Sequence, residues 1–228
     1  IATKLGLQGI TDLAEKVIIE RDLSLLEEFN CRYHIAQISS SKSVEVIKYK
    51  KNDVDFSTGV SINNLSLNEN DIGDFRTFLK LSPPLRTEED RLSLIEAINK
   101  NLIDVIVSDH KPEDEESKRL TFTQAATGAS GIETLLPLSL ELFHNGSVKL
   151  YRIIELLTSN PAKILKINKG NLSIGNDADF CIVDVNKPWI VKKEKMISKS
   201  KNTCIENKKL QGKVLYTYIR GNELFSLK

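Results

Sequence analysis

Asp109 and His110 stand together at the end of a short apolar run, residues 104–108, and both side chains can do chemistry. A carboxylate and an imidazole can ligate a metal ion, and each can take up or release a proton. In parallel α/β folds such groups collect where strands end, so the position of this pair favours a functional site. The structural alternative is that Asp109 accepts backbone N–H bonds from its loop and that His110 is a hydrogen-bonded, buried imidazole.

Polar side chains also follow three other runs with the composition of strands, residues 33–39, 54–60 and 78–82. They are Gln37, Ser39 and Ser40, then Ser61, Asn63 and Asn64, and finally Ser82 and Arg86. Together with Asp109, His110 and Glu113, we expect this polar collection at one end of a sheet. His34 has the parity of Ala36 rather than of Gln37, so we expect it to point into a helix layer.

Helical patterns separate these strands. The predicted helices cover residues 12–29, 41–51 and 87–101, with Asp12, Ser41 and Thr87 as N-caps and Glu15 completing a capping box at the first. Strand and helix alternate at about 20 to 27 residues per unit, a spacing that favours parallel βαβ units. The sequence therefore predicts an α/β fold.

The pattern changes near residue 170. Helices are predicted over residues 131–146 and 148–165, whereas 172–185 and 213–225 read as strands joined by glycine turns, which indicates antiparallel pairing. We therefore predict two domains, residues 1–169 and 170–228. The basic stretch 191–202 is interpreted as a solvated loop, with a patch for phosphate or acidic groups as the alternative.

Composition excludes several classes of function. The net charge is +1 and aromatic residues make up 6%, so neither nucleic acid nor an anionic membrane is favoured as a partner. No apolar run approaches the roughly 20 residues that span a bilayer.

The three cysteines form no CxxC pair, and Cys31 and Cys181 are predicted to be core residues in a reducing cytoplasm. The chain begins without Met, and we expect it to be a piece of a longer protein.

Several motifs resemble the class I dihydroorotases of the amidohydrolase superfamily. They are SPPLRTEEDR (82–91), DVIVSDHKPEDEE (104–116), FTQAATGASGIETLLPLSL (122–140), TSNPAKIL (158–165) and GNDADFCIVDV (175–185), and YHIAQISSSKSVEVIKYKK and VDFSTGVSINNLSL fall in the same order. The resemblance runs from Leu5 to Leu224. It implies the C-terminal half of a TIM-type (β/α)8 barrel, strands five to eight, plus part of a small β-sandwich.

The resemblance also implies an activity. Dihydroorotases of this kind interconvert dihydroorotate and N-carbamoyl-L-aspartate in pyrimidine synthesis, with one or two zinc ions activating a water. The aspartate that binds metal and shuttles the proton corresponds to Asp109. The first four strands, with their His-x-His pair and a bridging ligand, have no counterpart here.

The site departs from the family at most other positions. The metal-binding histidines are replaced by Gln37 and Asn63. The positions that contact substrate in the family are Ser82, Glu113, Thr127 and Gly128 here, and most of them are substituted. Gln and Asn offer only neutral carbonyl oxygens, which suit zinc poorly. Losing an outer-shell partner alone costs roughly 10–100-fold in metal affinity or activity, so we expect that no zinc is bound here. Glu113 adds a negative charge where an anionic substrate would lie, and Gln37 and Asn63 are expected to bond to each other.

Three hypotheses follow. The chain belongs to a degenerate dihydroorotase homologue without zinc chemistry that scaffolds aspartate carbamoyltransferase, to a working cyclic amidohydrolase with an altered metal site, or to a remnant with no role. Because half a barrel exposes two sheet edges, we also expect self-association or pairing with the missing N-terminal half.

Overall fold

A computed structural model describes residues 1–29 and 31–227 of the chain. The α-helices are α1 (Asp12–Glu28), α2 (Ser41–Lys50), α3 (Ile62–Ser66), α4 (Glu88–Asn99), α5 (Glu115–Lys118), α6 (Leu135–His144), α7 (Leu150–Leu157) and α8 (Ser159–Leu165). The strands are β1 (His34–Ile38), β2 (Ser57–Ser61), β3 (Val105–Val107), β4 (Phe180–Ile190), β5 (Lys209–Ile219) and β6 (Asn222–Ser226). Short 3-10 helices cover Glu69–Ile72, Thr77–Leu79, Ile132–Thr134 and Lys193–Lys195.

The described residues form two compact units. The first comprises residues 1–133 and 193–204, and the second comprises 134–192 and the chain from 205 onward. Helices α6 to α8 thus group with the antiparallel strands, whereas the sequence placed them before a domain boundary at residue 169. Lys228, the last residue of the predicted second domain, lies outside the described residues, and the division at 169 stays a prediction.

The first unit is built on a three-stranded parallel sheet in the order β1-β2-β3. Register pairs Gly59 with Val105 and Ser61 with Val107, so β3 lies directly beside β2. The predicted strand over residues 78–82 is wrong. Thr77–Leu79 form a 3-10 helix, and the buried Leu79 and Leu81 imitate the alternation of a strand. The predicted fourth strand is therefore the third of this sheet.

Polar residues fix the starts of the helices in this unit. The N-cap of α4 is Thr87, as predicted, and it forms a capping box with Asp90. The predicted caps of α1 and α2 are one residue too late, because Thr11 and Ser40 hold those positions. Glu15 makes no capping box; its carboxylate instead accepts bonds from Ser39, Ser40 and Ser43.

Apolar side chains between the sheet and its helices form the core of the first unit. The fully buried ones are Leu23, Ile38, Ile47, Val60, Leu65, Leu94, Ile98 and Ile103. One side of α1 is different, because Leu13, Val17 and Leu25 are 49%, 56% and 51% exposed. The first unit therefore carries an apolar helix face that none of the described residues covers.

The second unit contains an antiparallel sheet in the order β4-β5-β6, as the turn signals predicted. Helix α6 packs on β5, and Leu140 reaches Gly212, where a Cβ atom would lie 2.4 Å from Leu140 Cδ1. Leu138, Ile153 and Leu156 are fully buried in this unit.

The cysteine prediction is wrong, because Cys31 and Cys181 are exposed and Cys204 is buried. Within the described chain, none of the helices is long and apolar enough to cross a membrane.

Candidate functional site

The carboxyl ends of β1, β2 and β3 meet at one edge of the parallel sheet and bring the predicted polar side chains together. Gln37 lies in β1, Ser61 ends β2, and Asp109 follows β3 by two residues. Gln37 Nε2 donates to Asp109 Oδ1 at 3.1 Å, across 72 positions of the chain. The expected convergence of these residues is therefore present.

Asp109 has an uncommon backbone conformation. Its φ is +47°, in the left-handed region that residues other than glycine, asparagine and aspartate seldom enter. Such conformations concentrate at functional sites, where the surrounding structure holds them. The turn at Asp109 directs its carboxylate toward the ends of β1 and β2.

Burial dominates the electrostatics of Asp109. Removal from water raises the pKa of its carboxyl above the usual value, while the hydrogen bond from Gln37 and the charge of Lys111 act in the opposite direction. Asn63 and Ser61 also lie close enough to favour the ionised form. The net direction is upward, so ionising this carboxyl is costly in its present surroundings.

Asn63 lies in the first turn of α3 and is 3% exposed. The predicted bond between Gln37 and Asn63 is wrong. Gln37 donates to Asp109, and Asn63 Nδ2 has no hydrogen-bond partner within 3.5 Å among the described residues. Gln37 thus directs its amide N–H at the carboxylate, which can accept N–H groups but offers none.

His110 is hydrogen-bonded, as the structural alternative predicted, but it is half-buried rather than buried. Its Nδ1 atom accepts from the backbone N–H groups of Gly131 at 3.2 Å and Ile132 at 3.3 Å. Nδ1 therefore carries no proton, and a neutral His110 carries its proton on Nε2. The close approach requires glycine, since a Cβ atom on Gly131 would lie 2.4 Å from the Ser108 carbonyl oxygen.

The loop after β3 carries Glu113, which is held mainly by its backbone. The Glu113 carbonyl accepts from Ser200 Oγ at 2.6 Å, and its carboxylate lies 3.8 Å from Lys111 Nζ. Lys111 also donates to Thr127 Oγ1 at 3.3 Å. A cation therefore lies next to the acidic position, and it offsets part of the repulsion that Glu113 exerts on an anion.

Two further residues of the predicted polar collection are Ser82 and Arg86. Ser82 is exposed. Arg86 donates from Nε to Ser39 Oγ at 3.1 Å and from Nη1 to the Ile10 carbonyl, so it ties the end of β1 to the N-terminal residues.

A cavity of about 900 Å³ lies in the first unit, between the loop after β3 and residues 193–202. His110 and Glu113 line it from one side, and Lys199 and Asn202 from the other. Asn202 is only 3% exposed, so the solvated-loop interpretation of residues 191–202 is wrong at this end, although Lys199 is exposed.

The residues of this site do not fit a zinc ion. Among the described residues, Asp109 is the carboxylate that lies beside Gln37 and Asn63, and Gln37 points a donor rather than an acceptor at it. Among residues 1–29 and 31–227, no group of three or more His, Cys, Asp or Glu side chains could hold a metal ion. Zinc at a catalytic site takes about three such ligands, which the described part of the chain does not supply.

Sequence reasoning missed Lys118 and Asn202, both of which are buried beside the loop at Gly128. Lys118 follows an acidic run and Asn202 ends a basic one, so composition placed both in solvent.

Comparisons with known proteins extend over nearly the whole chain. The model of the amidohydrolase family matches residues 1–224. A dihydroorotase of Ehrlichia canis (strain Jake) is 40% identical over 228 residues, which are 99% of this chain and 51% of that protein. A dihydroorotase of Wolbachia sp. subsp. Drosophila simulans (strain wRi) is 38% identical over 230 residues, 100% of this chain and 52% of that protein. The chain spans about half the length of the curated relatives it matches.

The chain also covers about half of each of two similar solved structures. An L-hydantoinase (dihydropyrimidinase) from Arthrobacter aurescens superposes with a TM-score of 0.87 at 30% identity, covering 93% of this chain and 49% of that one. A dihydropyrimidinase from Brevibacillus agri NCHU1002 gives a TM-score of 0.88 at 21% identity, covering 95% and 49%, and indicates the fold alone. These neighbours indicate a TIM-barrel-type fold of which the chain covers about half.

Proposed function

The chain belongs to the amidohydrolase family, and from that membership we propose that it is the part of a dihydroorotase-like protein that forms barrel strands five to eight. We place the whole protein in pyrimidine synthesis, as a cyclic amidohydrolase homologue that has lost its zinc-dependent hydrolysis. Its proposed role is to scaffold aspartate carbamoyltransferase.

The observation that carries the proposal is the bond from Gln37 Nε2 to Asp109 Oδ1. A carboxylate oxygen that accepts an amide N–H is not free to face a cation from the same direction. The neighbouring Asn63 lies close enough to the same carboxylate to favour its ionised form. Imidazoles at these two places would offer nitrogen lone pairs to zinc, whereas the amides offer neutral oxygens at best.

Without the ion the family's hydrolysis loses its nucleophile. Zinc lowers the pKa of a bound water from about 15.7 toward 7, and no described side chain of this site replaces that effect. Asp109 can still exchange a proton, because burial raises its pKa, but a proton carrier alone does not create hydroxide.

A second candidate is an active cyclic amidohydrolase with an altered metal site. The retained Asp109 favours it, because this residue keeps a left-handed backbone and a raised pKa, both of which suit a proton shuttle. Under this alternative the other chain half would supply enough ligands to hold the ion without Gln37 and Asn63.

Metal analysis of the natural full-length protein separates the two candidates. Fewer than about a tenth of an equivalent of bound metal, with no hydrolysis of dihydroorotate, supports the degenerate protein. Stoichiometric metal with turnover that chelators abolish supports the enzyme. Co-purification with aspartate carbamoyltransferase tests the scaffold role, and a protein that migrates alone in cell extracts and after purification contradicts it.

A further inference from the structure

Lys118 is the largest fully buried side chain among the described residues, at 1% exposure. It ends α5, whose N-cap is Asp114. Lysine is almost never fully buried unless its ammonium is paired. Neither the family motifs nor the site described above gives Lys118 a role, so the reason for its burial must lie in the groups that it contacts.

Two backbone carbonyls receive the Lys118 ammonium. Nζ donates to Ala126 O at 2.8 Å and to Gly128 O at 2.9 Å. The backbone closes the same loop, because Ala126 N donates to Ser117 O at 3.1 Å. The ammonium thus replaces water as the donor for carbonyls that have left solvent. Removal from water lowers the pKa of the Lys118 ammonium, so the site is costly to keep charged.

Gly128 is fixed from several directions at once. Its φ is +130°, and a Cβ atom would lie 2.6 Å from the Lys111 carbonyl oxygen, so only glycine fits. Its N–H donates to Lys80 O at 2.9 Å. Its carbonyl accepts from Lys118 and also from Asn202 Nδ2 at 3.2 Å.

We propose that Lys118 is a positioning residue whose buried ammonium, together with Asn202, locks the Gly128 carbonyl away from the ligand site and so presents the Thr127–Gly128 backbone to it. The second half of this statement rests on the proposed function and on the family resemblance behind it, in which Thr127 and Gly128 hold substrate-contact positions. The lock itself rests only on the contacts of Lys118, Asn202 and Gly128.

Lys80 provides a matched control. It also donates to two carbonyls of this loop, Thr123 O at 2.9 Å and Ala125 O at 2.7 Å, but it is only half-buried. A general loss of loop hydrogen bonds would affect Lys80 and Lys118 variants alike. If Lys118 locks Gly128, amide exchange at residues 126–131 becomes faster only in the Lys118 variant.

The test is hydrogen exchange of Lys118→Ala and Lys80→Ala in the natural full-length protein. We expect amides of residues 126–131 to exchange at least about tenfold faster in Lys118→Ala, as for the loss of a bond of about 1.4 kcal/mol, with α2 and α4 unchanged. Added ethylammonium should restore protection in Lys118→Ala, whereas tetramethylammonium, which has no N–H donor, should not. Equal exchange in both variants, or equal rescue by both ions, overturns the lock.

Asn202→Asp is the second variant, for the case in which Lys118→Ala does not fold. It keeps the oxygen that faces Ser130 and Glu113 and removes the donor to Gly128. We expect a smaller acceleration confined to residues 126–131, and no change there counts against the lock. Titration of the wild type with dihydroorotate is a separate readout: absence of binding contradicts the proposed ligand site, and the exchange data still decide the lock.

Discussion

Gln37 and Asp109 bond to each other across β2, although the strands β1 and β3 that deliver them are not neighbours. The contact is possible because Asp109 turns back over the end of β2 in a left-handed conformation. The Gln37 amide therefore occupies one oxygen of the Asp109 carboxylate. Under the proposed function, this contact is the reason why the site does not hold a metal ion.

Restoring imidazoles should restore metal affinity. In the natural full-length protein, the double variant Gln37→His with Asn63→His is expected to bind zinc more than about 100-fold more tightly than the wild type, since two inner ligands outweigh one outer-shell partner. Competition with a chromophoric chelator measures the affinity. Gln37→His alone is the control and should give a smaller gain. Equal zinc binding by the wild type and the double variant contradicts the interpretation that Gln37 and Asn63 stand at positions that ligate metal.

Asp109→Asn should stabilise the protein at neutral pH, because an amide avoids the cost of a buried charge and asparagine tolerates a positive φ. We expect a gain of roughly 0.5–1 kcal/mol, as for other stabilising surface and loop changes. Thermal melts in buffers from pH 4 to 8 measure it.

The pH dependence of this gain has a definite sign. The folded-state pKa of Asp109 is raised above the ordinary value of an aspartate, so the wild type loses stability as pH rises from that ordinary value through the folded pKa. The advantage of Asp109→Asn is therefore complete above this window and vanishes below it. A variant that is less stable at pH 7 would mean that hydrogen bonds to the charged form outweigh burial.

Gly131→Ala should be far more costly than Gly6→Ala, although both remove a glycine from the first unit. At Gly131 a Cβ atom meets the Ser108 carbonyl oxygen at 2.4 Å, whereas Gly6 has φ +65° and open space. We expect about 3 kcal/mol for the first, from overpacking, and about 1–2 kcal/mol for the second, from backbone conformation. Urea denaturation gives both values. A smaller loss of stability for Gly131→Ala than for Gly6→Ala would mean that the backbone at Ser108 can shift to make room for the Cβ atom.

The α/β alternation, the start of α4 at Thr87 and the antiparallel strands could be predicted because each depends on local patterns. The false strand at 78–82 could not be recognised, since buried Leu79 and Leu81 alternate like strand residues while the backbone forms a 3-10 turn. Periodicity reports burial, and it cannot report which backbone conformation achieves the burial.

The candidate site was predicted in composition but not in contacts. Gln37, Asn63 and Asp109 were expected at one edge of the sheet, and they lie there. The bond partner of Gln37 was wrong because it depends on β3 lying directly beside β2 and on the positive φ of Asp109, neither of which is written in local sequence. Lys118 was missed for the same reason, since its acceptors lie 8 and 10 residues further along in a folded loop.

The exposed side of α1 should drive self-association of the 228-residue chain on its own. Val17 and Leu25 are 56% and 51% exposed, and Val17→Lys with Leu25→Lys should reduce association by removing apolar area and adding charge. Sedimentation velocity measures the species present. Ser24→Lys with Glu28→Gln changes net charge by the same amount on polar positions, so it should leave association nearly unchanged.

The outcome that counts against this prediction is a monodisperse monomer of the unmodified chain, with a single cooperative melt. If Ser24→Lys with Glu28→Gln reduces self-association as much as Val17→Lys with Leu25→Lys does, the effect arises from net charge and not from the apolar face of α1.

The carboxylate of Glu15 reaches from α1 to three serines at the junction of β1 and α2. Because one acidic group closes that junction, neither helix can detach from the strand without stranding several buried hydroxyls. The two helices and β1 should therefore open and reclose as one kinetic event, so that the strand carrying Gln37 is never exposed alone. Its amides and those at the start of α2 would share a single opening free energy.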